Sequence, residues 1–517
     1  MKPSQLLYRL QTKLGKGCSL GVLPSNNIEI VHIPESMESL DFDPVFIKRF
    51  SVDELMRNRI AILHSGKEFD WKSEWEFRDK SALWNFNLHY FEYLFPLVKE
   101  WKDSGDKRYI DKTVEMISGW IDNNPKGKAP GWHSYPTALR ILTWISWYGY
   151  VREAIDEEFR QILLSSLHEQ YVYLAGHLEK DILGNHYFED LKSLVIAAVF
   201  FKDDTVLRKA LTDFKTECRE QILADGMHFE LSPMYHKIVL EGMMRAAAAL
   251  KGAKQQDKEI ESYIKPMLDV AYSFEYGIDR TPLFNDSGNN VAKSLDGLLA
   301  AANQCFGLIP SFKTSFESSG FYIFEQNSEG RKWKLIVDAG QPGPAYIPGH
   351  AHCDAMSFEL FCDGKPVIVN CGTYAYQCEE RGFFRSTSAH NTVMVNETEQ
   401  SQYWGIFRLA KRSSVRVLEL TETSITMEMT DQKGQRARRI ITISDDTLFI
   451  RDKADGHKLT SFIHNRGNCM AIKTDADVKE RRNFYAEDYG LKDNITTLAL
   501  SAENQIDVCI DLRLLYA

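Results

Sequence analysis

The chain has 517 residues, too many for one ordinary hydrophobic core, so two or three domains are expected. Hydrophobic residues make up 44% and charged residues 26%, the profile of a soluble globular protein. No apolar run approaches the roughly 18 residues that a spanning helix needs, which excludes a membrane span. Lys plus Arg is 62 against 72 Asp plus Glu, a net charge of −10 with no basic tract. That excludes a general nucleic-acid binder and leaves any polyanionic ligand dependent on a local basic groove.

The N-terminus, MKPSQLLYRLQTKLGKGCSLG, is basic but lacks a continuous apolar stretch, so it does not read as a secretory signal. Nine scattered cysteines, an odd number, make no disulfide framework. Both features point to a reducing, cytoplasmic setting, or to the periplasm if a leader has been removed. Aromatic residues reach 12%, which fits either a large aromatic core or surfaces that stack on sugar rings.

Residues 1–75 read as an N-terminal extension with a basic amphipathic start and an extended-looking segment at 27–34. Residues 76–310 carry helical spacing: LHYFEYLFPLVKEW, TALRILTWISWYGYV, LKSLVIAAVFF and HKIVLEGMMRAAAALKG repeat apolar residues at three and four. Joints such as NNPKGKAPGW and DRTPLFNDSGNN separate them, which predicts antiparallel helical hairpins around one core. Over residues 311–517 the period drops to two in short runs such as FYIFEQ, KWKLIVDAG and RARRIITISDDTLFIRDKADG, with no helix between them. The expected fold is therefore α+β and multidomain, a helical domain followed by an antiparallel β-sandwich. The crevice between them is the default place for a ligand. Asn396-Glu-Thr fits a glycosylation sequon of the kind that arises by chance.

Four clusters interrupt the apolar patterning with titratable residues. GNHYFEDLKSL places Asn185 and His186 at the mouth of a helix. In DGMHFELSPMYHKIVLE, Ser232-Pro233 reads as a cap and first helical residue, which puts Tyr235 in the opening turn. In GHAHCDAMSFEL an extended backbone would set His350, His352 and Asp354 on one face. In RSTSAHNTVMVN, His390 enters a strand after Arg381 and Arg385. Each has a plainer reading: a cap, a buried tyrosine, a core histidine. Cys353, Cys362, Cys371 and Cys378 fit no metal knuckle and read as scattered buried thiols.

An Asn, two His and a Tyr together suit cleavage of a uronic-acid polymer by β-elimination. The proton α to an ionised carboxylate is only weakly acidic. An Asn amide and a His can hydrogen-bond that carboxylate and spread the charge of the developing enolate. A Tyr or His then removes the proton, and a Tyr hydroxyl protonates the departing glycosidic oxygen. Tyrosine as base needs nearby positive charge to lower a pKa near 10, which Arg381, Arg385 or a histidine would provide.

GNHYFED, DGMHFELSPMYH, GHAHCDAMSFEL with VIVNCGTYAY behind it, and SAHNTV, in this order, resemble the heparinase II/III-like polysaccharide lyases. The resemblance covers roughly residues 80 to 460. It implies an incomplete (α/α) toroid ahead of the β-sandwich and an acidic polysaccharide or oligosaccharide substrate. By the same resemblance Asn185, His186, Tyr235 and His350 form the catalytic set. WNFNLHYFEY and WHSYPTALR resemble substrate-lining helices, making Asn87, His89, Trp132, Tyr135 and Arg140 candidate sugar contacts beside Arg381 and Arg385. The family's structural zinc would fall to His352, Asn370 and His390, with Asn370 standing where a carboxylate is expected. Leaderless chains of this kind also resemble proteins of surface-polysaccharide processing. Two other classes remain: a non-catalytic acidic-glycan-binding protein, and a glycoside hydrolase using a pair such as Glu230 and Asp354.

Overall fold

Capped, amphipathic segments build the first part of the chain. In the computed structural model, which describes residues 2, 3, 5, 8, 9 and 37–513 except 329, 445 and 467–471, the helical spacing becomes a succession of helices from Ala82–Leu88 to Leu295–Phe306. Residues 27–34 lie outside the described residues. Ser81, Asp156 and Ser294 each accept a backbone N–H of the following first turn, the usual satisfaction of a helix start. Gly184–Phe200 is buried along its whole length with the exception of His186, so this helix runs through the middle of its packing partners. Among the described residues no helix is long and apolar enough to cross a membrane.

The later part is an antiparallel sheet. Phe321–Ser328, Arg331–Asp338, Phe358–Cys362 and Lys365–Ile368 form a meander, while Thr447–Asn465 and Leu491–Asp511 pair along their length. Ser424–Thr430 alternates half-buried and buried residues, the mark of a strand with one covered face. Leu335, Val337 and Leu360 of the meander share a core with Ile425, Ile441, Ile450 and Val508, which makes the packing face to face. Ile323, Ile336 and Phe361 point the other way, into a second core with Met227, Phe274 and Phe284.

Contacts divide the chain into two units that interleave in sequence. One comprises Met1–Gln221, Ile238–Lys265 and Ala292–Ile309; the other Ile222–Lys237, Pro266–Val291 and Pro310–Ala517. Tyr235 and the 285–287 loop therefore belong with the sheet, although they lie in the helical stretch of the sequence. The described cysteines are all free thiols.

The turn after Val369 depends on Gly372. Its φ is +74°, and a Cβ there would stand 1.9 Å from the Ala486 carbonyl oxygen. Gly372→Ala is expected to cost about 3 kcal/mol or more through strain and overlap combined. A lowered thermal midpoint measures it, and an unchanged midpoint would show that the turn relaxes freely.

Candidate active site

In the sheet-bearing unit the side chains collect around one buried anion. Asp286 takes both guanidinium nitrogens of Arg381 at 2.5 and 2.8 Å, Nδ1 of His350 at 2.9 Å, Nε2 of His352 at 2.9 Å and the Thr373 hydroxyl at 3.1 Å. Burial pushes its carboxyl up, but Arg381, His352 and the histidine hydrogen bonds outweigh it and hold it well below the usual range. An ionised Asp286 only accepts, so His350 donates to it from Nδ1 and Nε2 is the ring nitrogen left facing away from Asp286. That Nε2 lies 3.9 Å from Glu230, outside hydrogen-bond distance.

Tyr235 stands beside His350, with ring centroids 4.2 Å apart. Ser232 Oγ accepts the Tyr235 N–H at 3.2 Å and Pro233 opens the helix, as the sequence predicts. The Tyr235 hydroxyl meets that of Tyr376 at 2.7 Å, and Tyr376 meets Tyr489 at 2.8 Å. Burial raises the Tyr235 phenol above its ordinary value; the Tyr376 hydrogen bond and Arg381 oppose this, while Asp286 and Glu230 add to it. Arg381 thus pulls the Tyr235 phenol in the direction the sequence suggests, but burial outweighs it. Arg385 is buried and donates to the carbonyls of Ala351 and Ile406.

The loop before these residues does the positioning. Asn285, at φ +55°, donates to the Leu231 carbonyl, accepts the His352 N–H and gives its own N–H to Asp354. Ser232 Oγ bonds the Asp286 carbonyl at 2.7 Å. Leu231, at φ +57°, is strained, as are several positions beside this site. Sequence analysis treated 285–287 as a polar joint; its only signal was three consecutive hydrogen-bonding side chains, Asn-Asp-Ser.

One sequence expectation needs correction. The segment from Gly349 to Ser357 is a loop, and the strand begins only at Phe358. Met356 at φ +61° and the Ser357 N–H bonded to the Asp354 carbonyl turn the chain there. His350 and His352 still converge because both reach Asp286, whereas Asp354 turns to the Asn285 amide.

The helical unit carries the other candidates. His186 Nδ1 lies 3.2 and 3.3 Å from the Glu179 oxygens, and its ring lies 4.4 Å from that of Tyr135. Glu179 is buried, which raises its pKa, yet His186 and His133 bring it net below the usual range. Asn185 is buried in the first turn behind Leu183, whose φ of 65° and ψ of −155° are a glycine-like conformation. Asn87 is half-buried, with its amide bonded to the Leu83 carbonyl.

His89, Trp132 and Arg140 lie in the aromatic core of the helical unit. All are buried: Trp120 donates to His89 Nδ1 at 2.9 Å, Arg140 lies 3.8 Å over the Trp120 ring, and Trp132 donates to the Asn124 carbonyl. Gly131 and Gln170 oxygens accept from the same guanidinium, so this motif packs a cation on an aromatic face.

The zinc expectation was tested on its donors. Both ring nitrogens of His390 and Nδ1 of His352 are buried without a hydrogen-bond partner, and the rings are 5.2 Å apart. Asn370 offers no anionic oxygen, and its Oδ1 already accepts the Asn391 N–H at 3.0 Å. His352 gives its other nitrogen to Asp286. Among the described residues no three His, Cys, Asp or Glu side chains are arranged to hold a metal. These residues do not fit a three-ligand zinc site.

Comparison with known proteins follows this geometry. Residues 43–311 match Heparinase II/III N-terminus and residues 310–486 match Heparinase II/III-like, C-terminal. The chain belongs to the heparinase II/III-like family. Among curated relatives, it is 26% identical to a heparin-sulfate lyase of Pedobacter heparinus over 64% of this chain and 54% of that protein. It is 23% identical to one of Bacteroides stercoris over 74% of this chain and 63% of that protein. The match thus spans about half to three-fifths of those relatives. A heparinase III crystal structure superposes at a TM-score of 0.72 with 16% identity, over 100% of this chain and 92% of that one. This likeness establishes the family's fold of helical toroid and antiparallel sheet.

Glu359 ties this heparinase-like site together from beneath, accepting the N–H groups of Leu283 and Asn370 at 3.0 and 2.8 Å. Burial raises its pKa to about 7. A raised carboxyl favours the fold fully below its unfolded pKa near 4.3, and that contribution is lost as pH rises to about 7. Relative to Glu359→Gln, the parent should therefore gain stability as pH falls from 7 to 5, by up to about 1.4 kcal/mol per unit. Denaturant titrations at the two pH values check this; a pH-independent difference contradicts it.

Proposed function

We propose that the protein is a polysaccharide lyase that cleaves a uronic-acid-containing acidic polysaccharide by β-elimination. The observation that carries this reading is the Tyr235–His350 pair, in which Asp286 fixes the imidazole tautomer and burial keeps the phenol protonated. An imidazole held through Nδ1 stands beside a phenol that keeps its proton, the pairing of groups that a base and an acid require.

In this reading His350 Nε2 takes the proton from the carbon α to the uronate carboxylate. The electron pair forms the new carbon–carbon double bond, the bond to the glycosidic oxygen breaks, and Tyr235 donates its proton to that oxygen. Tyr376 then hydrogen-bonds the phenolate left on Tyr235, so the developing charge meets a donor already 2.7 Å away. On the helical unit, Asn185 and His186 offer hydrogen bonds of the kind a uronate carboxylate accepts, with the His186 ring held by Glu179. The names of the matched relatives favour heparin or heparan sulfate as the first substrate to try.

The test is ultraviolet absorbance of the unsaturated uronate released from heparan sulfate, alginate, hyaluronan and bacterial capsular glycans. Tyr235→Phe is expected to lower kcat on the cleaved glycan by roughly 10²–10⁴-fold. Tyr376→Phe should lower it by a smaller factor. Reducing sugar released without absorbance would mean hydrolysis, and binding without either product would mean a glycan-binding protein.

A further inference from the structure

Gln402–Trp404 and Arg408–Ala410 form a short antiparallel hairpin with Trp404 opposite Arg408. Its tip leaves two large aromatic side chains in solvent, Trp404 at 52% and Phe407 at 41% exposure. An exposed apolar patch rimmed by charge marks a place where something else binds, and Arg408 is exposed beside it. Phe407 is nevertheless fixed in place: its ring lies 6.0 Å from that of His350 and 5.0 Å from that of Tyr376, edge-on to both. The carbonyl of Ile406, one residue earlier, accepts from Arg381 at 3.2 Å and from Arg385 at 3.1 Å. Arg381 is the same guanidinium that holds Asp286, and Asp286 orients His350. One buried cation therefore registers both the imidazole and the aromatic tip, leaving one side of Phe407 packed on His350 and Tyr376 and the rest open.

We propose that this hairpin tip is a sugar subsite, and this rests on the lyase reading above. Phe407, with Trp404, stacks on the apolar C–H face of the pyranose next to the uronate that loses its proton, and Arg408 meets that sugar's carboxylate or sulfate. A flat ring whose face is open and whose edge is anchored suits a pyranose, because stacking needs area and little loss of side-chain freedom. The occupant is another residue of the same acidic chain rather than a separate ligand.

Binding separated from turnover decides it. Tyr235→Phe protein is titrated calorimetrically with size-defined hexasaccharides of heparan sulfate, alginate and hyaluronan. Adding Phe407→Ala or Trp404→Ala should weaken the bound hexasaccharide roughly ten-fold or more, about 1.4 kcal/mol. Phe407→Trp should keep affinity near the parent. In the protein with Tyr235 intact, Phe407→Ala should raise KM with kcat within about three-fold, the split expected for lost uniform binding. Unchanged affinity in Phe407→Ala overturns the subsite, as does a fall in kcat alone accompanied by a lower melting temperature. Failure of the Tyr235→Phe protein to bind any hexasaccharide overturns the subsite and the substrate reading together. Lost affinity in Phe407→Ala with no unsaturated product from the intact protein upholds the subsite and removes only the lyase chemistry.

Discussion

The site in the sheet-bearing unit depends on a single buried carboxylate. Asp286 is fully buried, and each of its neighbours satisfies part of its charge: a guanidinium, two imidazoles and a hydroxyl. Removing one partner of a buried pair leaves an uncompensated charge at a cost of about 3–5 kcal/mol, which is why Arg381 and Asp286 must be placed together or not at all. Everything nearby inherits this constraint. His350 receives its tautomer from it, the GTY turn is held by Thr373, and the hairpin tip is held by the same Arg381.

The chemistry follows from two opposed environments a few ångströms apart. A carboxylate held ionised makes the adjacent imidazole a donor through Nδ1 and leaves Nε2 facing away from it. Burial beside that same carboxylate disfavours a second negative charge, so Tyr235 stays a phenol, and the phenols behind it stay neutral for the same reason. In the proposed reaction a row of hydroxyls, Tyr376 and Tyr489, stands behind Tyr235 to receive the charge that would develop there. Such a row is neutral at rest and polarises only when charge develops, which is the behaviour that favours a transition state over a ground state.

How much of this the sequence disclosed follows the range of the forces involved. Local rules were legible: the Ser232-Pro233 cap set Tyr235 in the first turn, and the change of period from three-and-four to two marked where helices end and strands begin. The hub was not. Asp286 sits in a polar joint and acquires its role only from Arg381, 95 positions away, and no periodicity carries that pairing. The strand expected through His350, His352 and Asp354 failed because Met356 takes a positive φ that alternation cannot foresee. For His89, Trp132 and Arg140 the sequence is ambiguous, since polar and aromatic residues on one motif suit a sugar groove and a cation packed on Trp120 alike, and only the structure shows their burial.

The replacement at Asn370 fits the same economy of charge. A zinc ion held by two imidazoles and a carboxylate brings one net positive charge into the interior, whereas two neutral imidazoles and an amide bring none. Burial keeps His352 and His390 neutral, His352 at a pKa of about 4 and His390 well below its ordinary value, so the pair adds no cation of its own. The positive charge bonded directly to Asp286 is Arg381, which is supplied by the chain itself. A site built this way joins sheet, turn and hairpin through a covalently tethered guanidinium, whose five donors reach further than a point ion and tie Ile406 to Asp286 in the same side chain. That reach is what lets a single substitution-sensitive pair set the geometry of the reacting rings and of the aromatic tip beside them.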